Sequence, residues 1–303
     1  MNIGFIGAGA AGTTLSLALS AKGYRVAAVA SRGGESARRL AARIPGCHAF
    51  AGAQEVADAC DFVFIATPDA AIASVAASVT WRTGQMVVHL SGALGLEPLA
   101  SARRAGALVG SFHPLQTLAA VETPAEALAA LEGIAFAIEA EAPLRATLEG
   151  MARALGGVPL CIRPEDRPLY HASAVMACGY LLALLSESAS LWEAMGFSRE
   201  QALRALLPLA RQTLANASRK GLAPGSDRGL DASVTGPIVR GDADTVRRHL
   251  EALASKAPRL SSLYSQLGLA SLHIAEARGV PLDSLRQIET LLRAHIRSPK
   301  EKP

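Results

Sequence analysis

The chain has 303 residues, half of them hydrophobic, with a net charge of +4 and only 4% aromatic side chains. That length suggests two domains, and the apolar fraction supplies two cores built largely from alanine and leucine, which favours close helix packing. The charge is modest and no run of Lys or Arg is interleaved with aromatics, so nothing points to nucleic-acid binding.

Strand-like and helix-like segments alternate as far as about residue 161, the pattern of a doubly wound parallel sheet wrapped by helices. Strands are predicted at 2–6, 25–30, 47–50, 61–66, 85–90, 107–111, 133–139 and 157–161. The first runs straight into Gly7-Ala8-Gly9-Ala10-Ala11-Gly12 and then a helix-like stretch from Thr13 to Ala21. In that order, Gly7 permits the tight turn, Gly9 lets backbone approach a pyrophosphate, and Gly12 lets the helix pack on the strand. The unpaired N–H groups of the first turn, which holds Ala10 and Ala11, then face the phosphates. A dinucleotide site on a Rossmann domain is the expectation. The first strand begins at residue 2, leaving no room for a signal-peptide core, and a cytoplasmic location is expected.

The second strand closes on Ala30-Ser31-Arg32, with no carboxylate where a ribose 2′-hydroxyl would need one. Ser31 can donate to a 2′-phosphate and Arg32 can pair with it, which favours NADP over NAD; the alternative is a solvated turn. The cysteines, Cys47, Cys60, Cys161 and Cys178, are far apart and form no CxxC, so they read as reduced and structural, with no metal site.

Ligands of such a sheet sit beyond the carboxyl ends of the strands. After 61–66 comes Thr67-Pro68-Asp69, where the proline turns the chain, Thr67 and Pro68 stand over the cofactor, and Asp69 can cap the following helix. After 85–90 comes Ser91-Gly92, suited to close approach to the nicotinamide ribose, with His89 inside the strand as a core histidine or an acid–base group. After 107–111 comes Phe112-His113-Pro114-Leu115-Gln116. His113 lies where substrate would meet the nicotinamide, or is a structural loop histidine, and Gln116 offers both a donor and an acceptor.

Beyond Cys161 the pattern changes at a proline-broken junction, Arg163 to Pro168, dividing a Rossmann domain at 1–162 from an all-helical domain at 163–303 that carries substrate and dimer contacts. Helices are predicted at 168–195, 198–219, 242–255, 257–278 and 281–297, punctuated by glycines including Gly225, with a frayed tail from Arg297. Tyr170 and His171 occupy the first turns of the first of these, which can face a cleft between the domains. An imidazole there suits protonation of an alkoxide near neutral pH. Leu169 to Ser186 carries no charge and is about long enough to span a bilayer. Its His171, Ser173, Gly179 and many alanines fit instead a helix buried on all sides of a soluble domain. In Val234-Thr235-Gly236-Pro237-Ile238-Val239-Arg240-Gly241-Asp242, Asp242 can cap the next helix, while Arg240 can pair with Asp242 or bind a substrate carboxylate.

GFIGAGAAG, FIATPDAAI, HLSGALG, SFHPLQT, YHASAVMACGYL and VTGPIVRGD, in this order, resemble the bacterial Rossmann-like oxidoreductases whose C-terminal helical part is domain of unknown function 2520. That family is related to pyrroline-5-carboxylate reductase, ketopantoate reductase and 6-phosphogluconate dehydrogenase. The resemblance implies NADP chemistry, an F420-dependent NADP oxidoreductase or a ketopantoate reductase, and a homodimer formed through the long helix. Cys178-Gly179 stands where the family usually has Ser-Asn, and no lysine occurs between Lys22 and Lys220, so the lysine proton donor of the related dehydrogenases is missing. His171, Arg167 and Tyr170 remain as polar groups. The expected function is NADPH-dependent reduction of a small carboxylate-bearing carbonyl or imine, with ketopantoate favoured. His171 would be the general acid, His113 and Gln116 would orient the carbonyl, and Tyr170 and Arg240 would contact substrate. F420–NADP hydride exchange and a non-catalytic NADP sensor or scaffold are the alternatives.

Overall fold

The computed structural model describes residues 1–221 and 229–296, in two compact units that divide between Cys178 and Gly179. Gly225 and the tail from Arg297 lie outside the described residues. In the first unit, strands β1 (Asn2–Ile6), β2 (Arg25–Ala30), β3 (His48–Phe50), β4 (Phe62–Ile65), β5 (Met86–His89), β6 (Leu108–Pro114), β7 (Ala135–Ala140) and β8 (Val158–Cys161) form one sheet. Their order is β3-β2-β1-β4-β5-β6-β7-β8. The first six follow the doubly wound dinucleotide-binding order and are parallel. The expectation of a wholly parallel sheet needs correction, because β7 pairs antiparallel with β6, with His113 opposite Ala137, and β8 is parallel to β7. A helix at Pro124–Leu131 intervenes, yet it returns the chain to the same end of the sheet instead of crossing it.

Period-two alternation divides the strand side chains between two cores. Ile3, Phe5, Phe62, Phe64 and Val88 join one cluster, while Ile6, Val63, Ile65 and Val87 join the other. Five of the seven phenylalanines lie in the first cluster. Phe5, Phe64, Phe112 and Phe136 make a row across four strands, with successive centroids 4.9, 6.1 and 4.6 Å apart. Scarce aromatics are thus concentrated where one sheet face needs large rigid fillers. Leu15, Leu17 and Leu19 of the first helix cover that row, while Val56, Ile72, Ala76 and Leu99 cover the opposite face.

Although the change from strands to helices falls after Cys161, near the predicted domain boundary at 162/163, the first compact unit continues to Cys178. The predicted helix at 168–195 is three pieces: an α-helix Arg167–Val175, a π-turn Met176–Tyr180 and an α-helix Leu181–Glu193. The stretch Pro164–Glu193 is long and apolar enough to cross a membrane by length and composition, and only 6% of its apolar window is buried. That corrects the expectation of a helix buried on all sides. Leu169, Met176, Tyr180 and Leu182 are 75%, 64%, 64% and 63% exposed.

In the second unit the helices Arg199–Gly221, Ala243–Lys256, Pro258–Ala270, Leu272–Ala277 and Leu282–Ala294 follow the predicted positions, except that 257–278 breaks at Ser271. Val246, Leu250, Ile288 and Leu292 form the centre of its larger cluster. Asp242 caps the helix after it by accepting from the Thr245 amide at 3.0 Å.

Candidate functional site

The three glycines of the first turn are required for three different reasons. Gly7 has φ +115°, and a Cβ there would lie 2.4 Å from the Ala66 carbonyl oxygen. A Cβ on Gly12 would lie 2.4 Å from the Gly7 carbonyl, so helix and strand could not approach as they do. Around Gly9 nothing lies within 4 Å of that position. Its missing side chain leaves space for a ligand, not for protein. Gly9 is the N-cap of the helix Ala10–Ala21, which has no side-chain cap and no carboxylate in its first turn. The amide dipoles of Ala10, Ala11 and Gly12 are therefore left for an anion.

Above them lies a cleft of about 770 Å³ lined by Gly7, Gly9, Ser31, Arg32, Thr67 and Pro68 among others. None of its lining residues is acidic, and Arg32 is its one cation. Arg32 is exposed and has no ion pair among the described residues, whereas Arg39 next door pairs with Glu35. The Ser31 hydroxyl accepts from Ser36 Oγ and the Ala37 amide, both at 3.0 Å, so it also anchors the following helix. Thr67 Oγ1 is buried on the cleft wall with no partner. Such an orphaned donor calls for a ligand group or water.

Beside the cleft, Asp69 is not a helix cap, as the sequence suggests, but a link. Pro68 is the N-cap, Asp69 opens the helix, and its carboxylate accepts from Ser91 Oγ at 2.7 Å. Ser91 Oγ in turn accepts from the amides of Ala93 and Leu94. This bond ties the end of β4 to the end of β5. His89 is a satisfied core group: Nε2 donates to the Gly95 carbonyl at 2.8 Å and Nδ1 accepts from the Ser91 amide at 3.1 Å. Burial holds it below the ordinary histidine range.

The ends of β5 and β6 and the helix Arg167–Val175 converge on a second group. His113 Nδ1 lies 2.7 Å from the Tyr170 hydroxyl, with the rings edge to face. Gly92 makes room for the imidazole, since a Cβ there would be 2.7 Å from ring atoms Cε1 and Nε2. Burial, then the charges of His171 and Arg167, push His113 down to about 4, and burial pushes Tyr170 up to about 12. His171 Nδ1 is buried without a partner. Beneath them Arg167 is 1% exposed. Its guanidinium donates to Glu139 at 2.8–2.9 Å, to Ser111 Oγ at 2.6 Å and, at 3.4 Å, to the Ser91 carbonyl. One buried cation thus pins the start of the helix carrying Tyr170 and His171 to β5, β6 and β7.

Residues 1–114 match the Rossmann-like domain, and residues 134–271 match domain of unknown function 2520. The chain is a Rossmann-like domain joined to a DUF2520 domain. Among solved structures, it is similar to a Bacteroides fragilis protein provisionally named an NADP oxidoreductase, at 25% identity and TM-score 0.67 over 90% of this chain and 98% of that one. A pyrroline-5-carboxylate reductase from Coxiella burnetii matches at 20% identity and TM-score 0.56, over 91% of this chain and 98% of that one. A reductive aminase from Aspergillus terreus, in complex with NADPH and ethyl-5-oxohexanoate, matches at 17% identity and TM-score 0.59, over 97% of this chain and 92% of that one. No curated protein matches the chain in sequence.

The DUF2520 segment begins inside the sheet, just before β7. The imidazole group is consequently assembled from both segments: Asp69, Ser91, Ser111 and His113 from the Rossmann-like part, and Glu139, Arg167, Tyr170 and His171 from the DUF2520 part. Two predicted residues stand outside this network. Gln116 is exposed, and its amide is engaged locally, accepting from the Thr117 N–H at 2.9 Å and donating to the Ala130 carbonyl at 3.5 Å. Arg240 is exposed in the second unit, in a 3₁₀ turn at Ile238–Arg240, and pairs with no carboxylate among the described residues. Sequence reasoning missed the Glu139–Arg167 pair and the Asp69–Ser91 link. The signal for the first was a carboxylate in the otherwise apolar strand Ala135–Ala140. All four cysteines are free thiols, with Cys60 buried and Cys161 and Cys178 exposed.

Proposed function

We propose that the protein is an NADPH-dependent reductase of a small carbonyl or imine substrate. The observation that carries this reading is the glycine-floored cleft with its orphaned Thr67 hydroxyl, continued through Asp69 and Ser91 to His113, Tyr170 and His171. Gly9, Ala10 and Ala11 fit a pyrophosphate, Ser31 and Arg32 a 2′-phosphate, and Thr67, Pro68 and Ser91 the nicotinamide half. The likeness to an NADP oxidoreductase, a reductive aminase and a pyrroline-5-carboxylate reductase supports the same class of chemistry.

Reduction of a C=O or C=N bond needs a hydride, which bound NADPH supplies, and a proton, which the chain must deliver. His171 is the proposed proton donor to the developing alkoxide or amine, with His113 orienting the reacting group and Tyr170 beside it. Ketopantoate is the favoured substrate, having suitable size and charge. We further read the protein as a cytoplasmic homodimer in which a second copy covers the exposed apolar helix.

The test is loss of NADPH absorbance when ketopantoate, or a cyclic imino acid, is added, with NADH in parallel. Turnover is expected with NADPH, and Arg32→Asp should weaken NADPH binding about 10- to 100-fold while leaving NADH nearly unchanged, as befits one charge-assisted contact. Equal losses for both cofactors would refute the 2′-phosphate contact. Bound NADPH with no turnover on any keto or imino acid would refute the reductase.

A further inference from the structure

The Tyr170–His113 contact carries a consequence for how the imidazole works, and it rests on the reductase reading above. We infer that Tyr170 is a positioning residue whose hydroxyl hydrogen is given to Nδ1 of His113, fixing the ring with its own hydrogen on Nε2. The side chain offered to the substrate's carbonyl or imine is then a neutral N–H donor.

Three observations lead here. The O···N separation is 2.7 Å and involves Nδ1, not Nε2. A phenol is a good donor and a poor acceptor, while an unprotonated imidazole nitrogen is a good acceptor, so the hydrogen lies on the oxygen side. Nε2 makes no hydrogen bond to any described residue and is not sealed from solvent, unlike the buried, unpartnered Nδ1 of His171. Gly92 backs the Nδ1–Cε1–Nε2 edge of the ring closely enough that a Cβ would collide with it, which holds the ring in place.

Charge supports the same assignment. With His113 pushed down to about 4 and Tyr170 up to about 12, both are neutral across the physiological range. The neighbouring Arg167 and His171 both oppose an imidazolium here. A neutral imidazole can polarise a carbonyl oxygen without surrendering its proton, leaving proton delivery to His171. Division of labour between the two histidines follows: His113 donates a hydrogen bond and His171 donates a proton.

The test begins with ¹⁵N spectra of histidine-labelled full-length protein. For His113, Nε2 is expected to show the shift of a protonated ring nitrogen and Nδ1 that of an unprotonated one. Tyr170→Phe should move Nδ1 of His113 and spare the other histidines. In turnover, Gln places its amide where Nε2 was and Asn where Nδ1 was, so His113→Gln should retain about tenfold more kcat than His113→Asn, with NADPH affinity equal in both. A protonated Nδ1 in the wild type, or Asn outperforming Gln, overturns the tautomer assignment. A wild type that reduces no keto or imino acid overturns the reductase reading itself and the donor role with it, an outcome the spectra keep separate because they need no substrate.

Discussion

His113 is where burial has its largest effect on a titrating group near the proposed chemistry. In the unfolded chain it takes up a proton near pH 6.5, but in the folded protein only near 4. Between those values the unfolded state binds more protons, so folding stability declines as pH falls through that window and is fully present above it. At about 1.4 kcal/mol per pH unit, the loss reaches roughly 3 kcal/mol by about pH 4. His89, also held below its ordinary range, adds to the decline. Urea denaturation at a series of pH values should show it, and His113→Gln should flatten the profile; an unchanged slope in the variant would rule out His113 as the source. The sequence alone places His113 at a strand end and Tyr170 at a helix start, 57 residues apart. Their contact was illegible because it depends on how that helix docks against β6, which no local pattern encodes.

At the level of elements, the decisive piece is the Arg167–Glu139 pair, which locks a helix start to the antiparallel strand β7. Removing one partner of a buried pair leaves an uncompensated charge, typically at a cost of about 3–5 kcal/mol, whereas replacing both by apolar residues is often nearly neutral. Glu139→Leu should therefore destabilise the protein by that amount in chemical denaturation, and adding Arg167→Met should recover most of it. A double variant as unstable as the single one would show that the helix needs the guanidinium's bonds to Ser111 and Ser91 rather than charge balance. Strand positions were legible to within a residue or two at most termini, since buried strands are short apolar runs bounded by turns. The direction of β7 was not: a helix between two strands serves a crossover and a same-end return equally well. Nor could composition reveal that the uncharged run after Leu169 is exposed, because a buried helix and an unpartnered one both lack charge.

Over the whole molecule, a Rossmann-like domain followed by a helical domain exposes Leu169, Met176, Tyr180 and Leu182 along one stretch. A homodimer covering them gains stability by mass action, so its Tm should rise with protein concentration across about two decades, alongside a dimer mass in sedimentation. A monomer with constant Tm would refute the dimer, and recovery of the protein in the membrane fraction would assign the helix to lipid instead. The reversal at β7 has a different consequence, for synthesis. Until residues 135–140 have emerged, β6 is the open margin of the sheet, and its run Leu108–Pro114 offers unpaired amides and carbonyls flanked by apolar side chains. A fragment cut at residue 114, where the Rossmann-like match ends, would be such a margin made permanent, primed to pair with its neighbours and precipitate. The seam between the two sequence families is therefore no seam for folding: the smallest piece expected to stay in solution must reach past β8.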